Sequence, residues 1–195
     1  MHVSIKALVP HGSLATAVLE FNSQRRYASA MPDDLYERDV LAWSEHQAAL
    51  LRRAAGGERV NDIDWMHVVE EIEDVGLSEL NAVQSYLRQI LVHLLKLQAW
   101  PTLAACRHWR SEIVAFQTDA QHRFAPSMRQ RINLDSIYAR AALQIEPLRY
   151  GGKAPSPAPA TCPVTLDALL TAPCAALEAA FARSEEHTSE LQSPA

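Results

Sequence analysis

A long apolar periodicity between Ser78 and Gln98 constrains the fold of this chain more than any other feature. Its apolar residues recur every three or four positions, which is the spacing of one face of an α-helix. They are Leu80, Val83, Leu87, Ile90, Leu91 and Leu94. Ser78 is a residue type that caps helix starts, and Pro101 disfavours helical geometry at the residue before it. We therefore predict that this helix is the central one of the fold.

Other stretches show the same helical spacing, and no stretch alternates as a half-buried strand does. The further predicted helices cover 33–55, the region from Asp62 or Asp64 to Val75, 104–124, 128–145 and a short segment from Thr165. Gly56–Gly57 and Gly76 are expected to end helices, because glycine adopts the left-handed cap conformation readily. Short connections between long helices favour antiparallel neighbours. The predicted fold is therefore all-α, a mostly antiparallel helical bundle of about five helices plus a short C-terminal helix.

The chain is predicted to divide into five regions. Residues 1–30 mix apolar and basic side chains and are predicted to be an N-terminal extension outside the domain, with the helical bundle at 31–150. Residues 151–163 contain four prolines, which is typical of a semi-rigid connector, and 164–182 hold the short C-terminal helix. Residues 183–195 resemble the translation of a common sequencing adapter, so we predict an artefactual tail there.

Charge and composition exclude several classes of protein. Lys and Arg number 18 against 23 Asp and Glu, so the formal net charge is −5, which disfavours a nucleic-acid partner. No run reaches the roughly 18 apolar residues of a membrane span. Three widely spaced cysteines provide neither a disulfide framework nor a zinc motif. We expect a cytoplasmic protein with no membrane association.

The second predicted helix carries an apolar stripe and an acidic block. We expect the stripe to be buried; it comprises Trp65, Val68, Val69, Ile72 and Val75. Glu70 and Glu73 lie three residues apart on the helix, as do Glu71 and Asp74. Carboxylates at that spacing can bind a divalent metal through oxygen, and they can equally form a solvated face. Glu71 and Glu73 flank the stripe, and Glu70 and Asp74 are expected to point outward.

His93 and Lys96 on the central helix are the other candidates for chemistry. His93 could act as a base near neutral pH or bind a metal together with Glu71 or Glu73, and it could equally be a packing residue. Lys96 could bind a phosphate or pair with an acidic residue. No E-x-x-H motif is present, so a ferritin-like metal core is not expected.

Residues 35 to about 174 contain an ordered series of short motifs. The series runs from Leu35-Tyr36-Glu37-Arg38-Asp39 and Ala42-Trp43 through Glu70-Glu71-Ile72-Glu73-Asp74-Val75-Gly76, Ser78-Glu79, His93-Leu94-Leu95-Lys96 and Trp109-Arg110 to Pro126-Ser127, Cys162-Pro163 and Leu169-Leu170. In that order the motifs resemble the bacterial domain of unknown function 29 family. The resemblance implies a small, all-helical bacterial protein and implies no particular activity.

The sequence supports two hypotheses about function. The first is a protein-interaction or self-associating module, with a protein partner or a homo-oligomer such as a homodimer and without a cofactor. The alternative is a metal-dependent hydrolase of phosphate esters or nucleotides. That hydrolase would use Glu71, Glu73, His93 and Lys96 for catalysis and a divalent metal held by Glu70, Glu71, Glu73, Asp74 and His93.

Overall fold

Seven α-helices and one 3-10 turn make up the regular structure in this computed structural model, which describes residues 35–190 and side chains up to Ser184. The helices are α1 (Leu35–Arg38), α2 (Val40–Ala55), α3 (Trp65–Ala99), α4 (Cys106–Arg123), α5 (Leu134–Ile145), α6 (Leu166–Thr171) and α7 (Cys174–Glu190). Among the described residues there is no strand, and the prediction of an all-α fold is confirmed. The predicted extension at 1–30 and residues 191–195 of the predicted tail lie outside the described residues.

The chain forms two compact units, and the boundary between them falls between Glu73 and Asp74, inside α3. The core of the first unit consists of Trp43, Leu50, Ile63 and Val68. The Asp39 side chain accepts a hydrogen bond from the Ala42 amide and caps α2, which divides the predicted helix 33–55 into α1 and α2. The predicted end at Gly56–Gly57 is confirmed, because α2 ends at Ala55 and Gly57 has a φ of 89°.

The prediction that Gly76 ends a helix is wrong. The helix α3 continues through Gly76 to Ala99, so the second and the central predicted helices are one element and Ser78 is not a cap. A glycine inside a helix costs only about 1 kcal/mol relative to alanine. Good helix-forming residues on both sides outweigh that cost, because each continues the ladder of backbone hydrogen bonds.

The second unit is built around the downstream part of α3. The predicted core residues Leu80, Val83, Leu87, Ile90, Leu91 and Leu94 are all buried, so the central position of this stretch is confirmed. Other helices of the unit contribute apolar side chains to the same core: Trp109 and Ile113 from α4, Ile137, Tyr138 and Ile145 from α5, Leu169 from α6, and Leu177 and Phe181 from α7.

Polar contacts between helices supplement this core. Gln117 of α4 donates hydrogen bonds to the carbonyl oxygens of Leu169 and Ala172 at 2.9 Å each, and so satisfies carbonyls at the end of α6. Thr165 caps α6 as predicted, by accepting from the Ala168 amide. The helix predicted at 128–145 begins only at Leu134, because Asn133 caps it and a 3-10 turn occupies Pro126–Met128.

Candidate functional site

The acidic block of α3 does not form a single cluster of free carboxylates. Glu71 is half-buried, and its Oε1 accepts a hydrogen bond of 2.7 Å from the Tyr36 hydroxyl in the same unit. Glu70, Glu73 and Asp74 are exposed. Helical phase explains this difference, because Glu71 lies one turn after His67 on the side of α3 that packs in the first unit.

A polar and aromatic cluster surrounds Asp64 in the first unit. Oδ2 of Asp64 accepts hydrogen bonds from His67 Nδ1 at 2.6 Å and from Trp43 Nε1 at 3.2 Å. The His67 ring stacks on the Tyr36 ring with centroids 3.9 Å apart. The backbone amide of Asp64 in turn donates to Gln47 Oε1 at 2.9 Å. Asp64 therefore connects α2 to the start of α3, and the stacked rings of Tyr36 and His67 connect α1 to α3.

Hydrogen bonding sets the ionisation of Asp64. Burial acts to raise the pKa of this carboxyl, but the hydrogen bonds from His67 and Trp43 outweigh burial and lower the pKa below its usual 3.8. Asp64 is therefore ionised at neutral pH and fixes the proton of His67 on Nδ1. Sequence reasoning treated Asp64 only as a helix start and missed His67. The sequence did offer a signal for this cluster, which is the helical spacing of Asp64, His67 and Glu71 on one face.

His93 is a buried residue of the second unit, with 8% of its surface exposed. Its Nδ1 donates a 2.8 Å hydrogen bond to the carbonyl oxygen of Gln89, and its ring lies 5.8 Å from the Phe116 ring. Burial lowers the pKa of His93 below 6.5, although the hydrogen bond to Gln89 opposes that shift. The imidazole is therefore neutral at pH 7, and it has the contacts of a packing residue.

Lys96 lies half-buried one turn after His93. Its Nζ lies 5.8 Å from the centroid of the Trp109 ring, a distance at which a cation is attracted to the ring face. Burial lowers the pKa of the Lys96 ammonium. Trp109 itself is a core residue, with 4% of its surface exposed.

The predicted catalytic and metal-binding residues are divided between the two units. Glu71 belongs to the first unit and His93 to the second, and each has a hydrogen-bond partner within its own unit. Within residues 35–184, no three or more His, Cys, Asp or Glu side chains converge as metal ligands would.

The apolar stripe of α3 is where the structure departs most from expectation. Val68 is buried as predicted, but Trp65, Val69, Ile72 and Val75 are not. The exposed fractions are 60% for Trp65, 51% for Val69, 68% for Ile72 and 67% for Val75. Met66, next to Trp65, is 71% exposed. The prediction of a buried stripe failed because one turn of α3 packs through Val68, His67 and Glu71, which leaves the neighbouring face uncovered in the first unit.

These features define a small all-helical protein with an exposed apolar helix face next to an aromatic and carboxylate cluster. No helix of the described chain has the length and apolar character needed to span a membrane. The sequence profile of the family described as "Domain of unknown function DUF29" matches residues 35–174, and the chain belongs to that family.

The chain is also similar to a protein of known structure. A crystal structure of an alpha-helical protein of unknown function from Rhodospirillum rubrum is 30% identical in sequence, with a TM-score of 0.51. The alignment covers 76% of this chain and 96% of the other. No curated protein is significantly similar to this sequence.

Proposed function

We propose that the protein is a protein-interaction module that binds its partner through the exposed apolar face of α3. We call this face the α3 stripe and define it as Trp65, Met66, Val69 and Ile72. The observation that carries the proposal is that all four side chains are more than half exposed. Single exposed apolar residues are common on protein surfaces, but a contiguous group is typical of interaction sites.

The spacing of the stripe supports a helical partner. Trp65, Val69 and Ile72 are separated by four and three residues, so they form one line along α3. An amphipathic helix presents its own apolar residues at the same spacing and can pack along such a line. Trp65 is the natural anchor, because tryptophan is enriched among the residues that dominate binding energy.

The acidic residues next to the stripe indicate that the partner is basic. Glu70 follows Val69 and Glu73 follows Ile72, and both carboxylates are exposed. A partner helix whose apolar face is bordered by Lys or Arg would complement them. A second copy of this chain would bring the same acidic residues together, which costs free energy. The proposed partner is therefore a basic amphipathic helix of another protein, rather than a second copy.

A display library of amphipathic helical peptides tests the proposal directly. The positions bordering the apolar face are randomised among Lys, Glu and Gln, and selected peptides are measured by fluorescence anisotropy. Enrichment of Lys, and at least tenfold weaker binding to Trp65→Ser and Ile72→Ser, is the expected result. Leu143→Ser is the matched control, because Leu143 is 66% exposed but lies on α5, outside the stripe.

Two results would contradict the proposal. The first is selection without any preference for Lys, or equal binding to Ile72→Ser and Leu143→Ser. The second is a dimer in light scattering that Ile72→Ser converts to monomers, since this would assign the stripe to a second copy.

A further inference from the structure

A small polar cleft lies between α3 and α5 in the second unit. Its volume is about 170 Å³. The lining side chains are Asn81, Gln84, Ser85, Arg88, Ile137 and Arg140. The cleft therefore has two guanidinium groups and three neutral hydrogen-bonding groups, and its lining includes no carboxylate.

Three arginines of the second unit are paired with carboxylates. Arg110 pairs with Glu178 at 2.8 Å, Arg123 with Glu79 at 2.8 Å, and Arg129 with Asp167 at 2.6 Å. By contrast, neither Arg88 nor Arg140 makes an ion pair with any residue that the structure describes.

The Nε of Arg88 is buried and has no hydrogen-bond partner among the described residues. A buried donor without an acceptor is unfavourable, because it has lost its hydrogen bonds to water, and the cost is larger when the group is charged. Two like charges lining one small cleft add repulsion to that cost. An anion bound in the cleft could accept hydrogen bonds from the two guanidinium groups and would offset the charge of both side chains.

We propose that this cleft binds a phosphate group, either as free phosphate or as the end of a phosphate monoester. Guanidinium groups donate paired hydrogen bonds whose geometry matches phosphate oxygens. Asn81, Gln84 and Ser85 carry amide and hydroxyl donors for the remaining oxygens. A cleft of this volume is large enough to hold a phosphate group.

Titration of the full chain with inorganic phosphate, methyl phosphate and acetate tests the proposal. We expect saturable binding of a phosphate species by calorimetry, with at least tenfold weaker binding to Arg140→Gln. Arg140 is exposed, so its replacement does not disturb the core. Arg88→Lys retains the charge but loses the paired donors, and it should also weaken binding. The control is Arg131→Gln, because Arg131 is exposed and lies outside the cleft.

The two phosphate sources are distinguished by their relative affinities. Tighter binding of methyl phosphate assigns the cleft to a monoester, and equal or tighter binding of inorganic phosphate assigns it to the free ion. The proposal is overturned if neither phosphate species saturates the protein, if acetate binds as tightly, or if Arg140→Gln and Arg131→Gln bind equally well.

Discussion

The hydroxyl of Tyr36 donates a 2.7 Å hydrogen bond to Oε1 of Glu71 and connects α1 to α3. This contact gives Glu71, which the sequence suggests as a metal ligand, a structural partner within the first unit. The same tyrosine ring stacks on His67, so one residue of α1 contacts two successive turns of α3.

Replacing Tyr36 with Phe should destabilise the first unit. The variant keeps the ring but removes the hydrogen bond to Glu71, which is worth about 1 kcal/mol for a typical hydrogen bond. We expect amide hydrogen exchange in α2 to become roughly fivefold faster, the ratio that corresponds to 1 kcal/mol. Glu70→Gln is the control, since Glu70 is exposed, and it should exchange at the wild-type rate. Unchanged exchange in Tyr36→Phe would mean that the contact does not stabilise the unit.

Asp64→Asn should remove a pH-dependent part of the stability. Because the folded-state pKa of Asp64 is below 3.8, its ionised form stabilises the fold fully above that value. This contribution disappears as the pH falls through the folded-state pKa. We expect the difference in unfolding free energy between wild type and Asp64→Asn to shrink as the pH falls from about 5 towards 2. Urea unfolding at a series of pH values measures it, and a difference independent of pH would contradict the assignment.

His93→Gln should also change how the free energy of unfolding depends on pH, but in a higher pH range than Asp64→Asn does. Burial lowers the folded-state pKa of His93 below 6.5, so the unfolded chain binds the proton more readily. Wild-type stability should therefore decrease as the pH falls below 6.5, by at most about 1.4 kcal/mol per pH unit from this residue. Subtracting the unfolding free energy of His93→Gln isolates that contribution. A difference that does not vary between pH 7 and 5 would be inconsistent with a buried neutral imidazole.

Trp65 should account for most of the tryptophan fluorescence that a quencher in solution can reduce. The chain has four tryptophans, and Trp43, Trp100 and Trp109 are each 4% exposed, whereas Trp65 is 60% exposed. Acrylamide should therefore quench mainly Trp65, and Trp65→Phe should remove most of the quenchable signal. Equal quenching of the wild type and the variant would show that the stripe is already covered.

Leu91→Ala should strongly destabilise the second unit. Leu91 is fully buried in α3, and truncation leaves a cavity that typically costs about 2–5 kcal/mol. Leu143→Ala is the control, because the same change at an exposed site should cost under roughly 0.5 kcal/mol. Urea unfolding measures both variants. A loss below about 1 kcal/mol in Leu91→Ala would mean that this part of α3 is not central.

Local sequence signals predicted the helical content well. The predicted apolar face from Leu80 to Leu94 is buried, Thr165 is a cap, and α2 ends before Gly56, because each of these features depends on residues within a few positions. The break at Gly76 was predicted wrongly because the propensity of one glycine is smaller than the gain from continuing the helix.

The candidate site was less predictable. Glu71 and Asp64 are visible in the sequence, but their partners Tyr36 and Trp43 come from other helices, and no local spacing reports them. The cleft residues Arg88 and Arg140 are 52 positions apart in the sequence and share a cleft only because their helices pack together.

The sequence by itself determined that the chain is helical and which residues share each helix face. The tertiary structure decided which of those faces are covered: Leu87 and Leu91 are enclosed, whereas Trp65 and Ile72 on the same helix are exposed. The physical reason is that periodicity depends on the backbone geometry of a single helix, whereas burial depends on the other helices that pack against it.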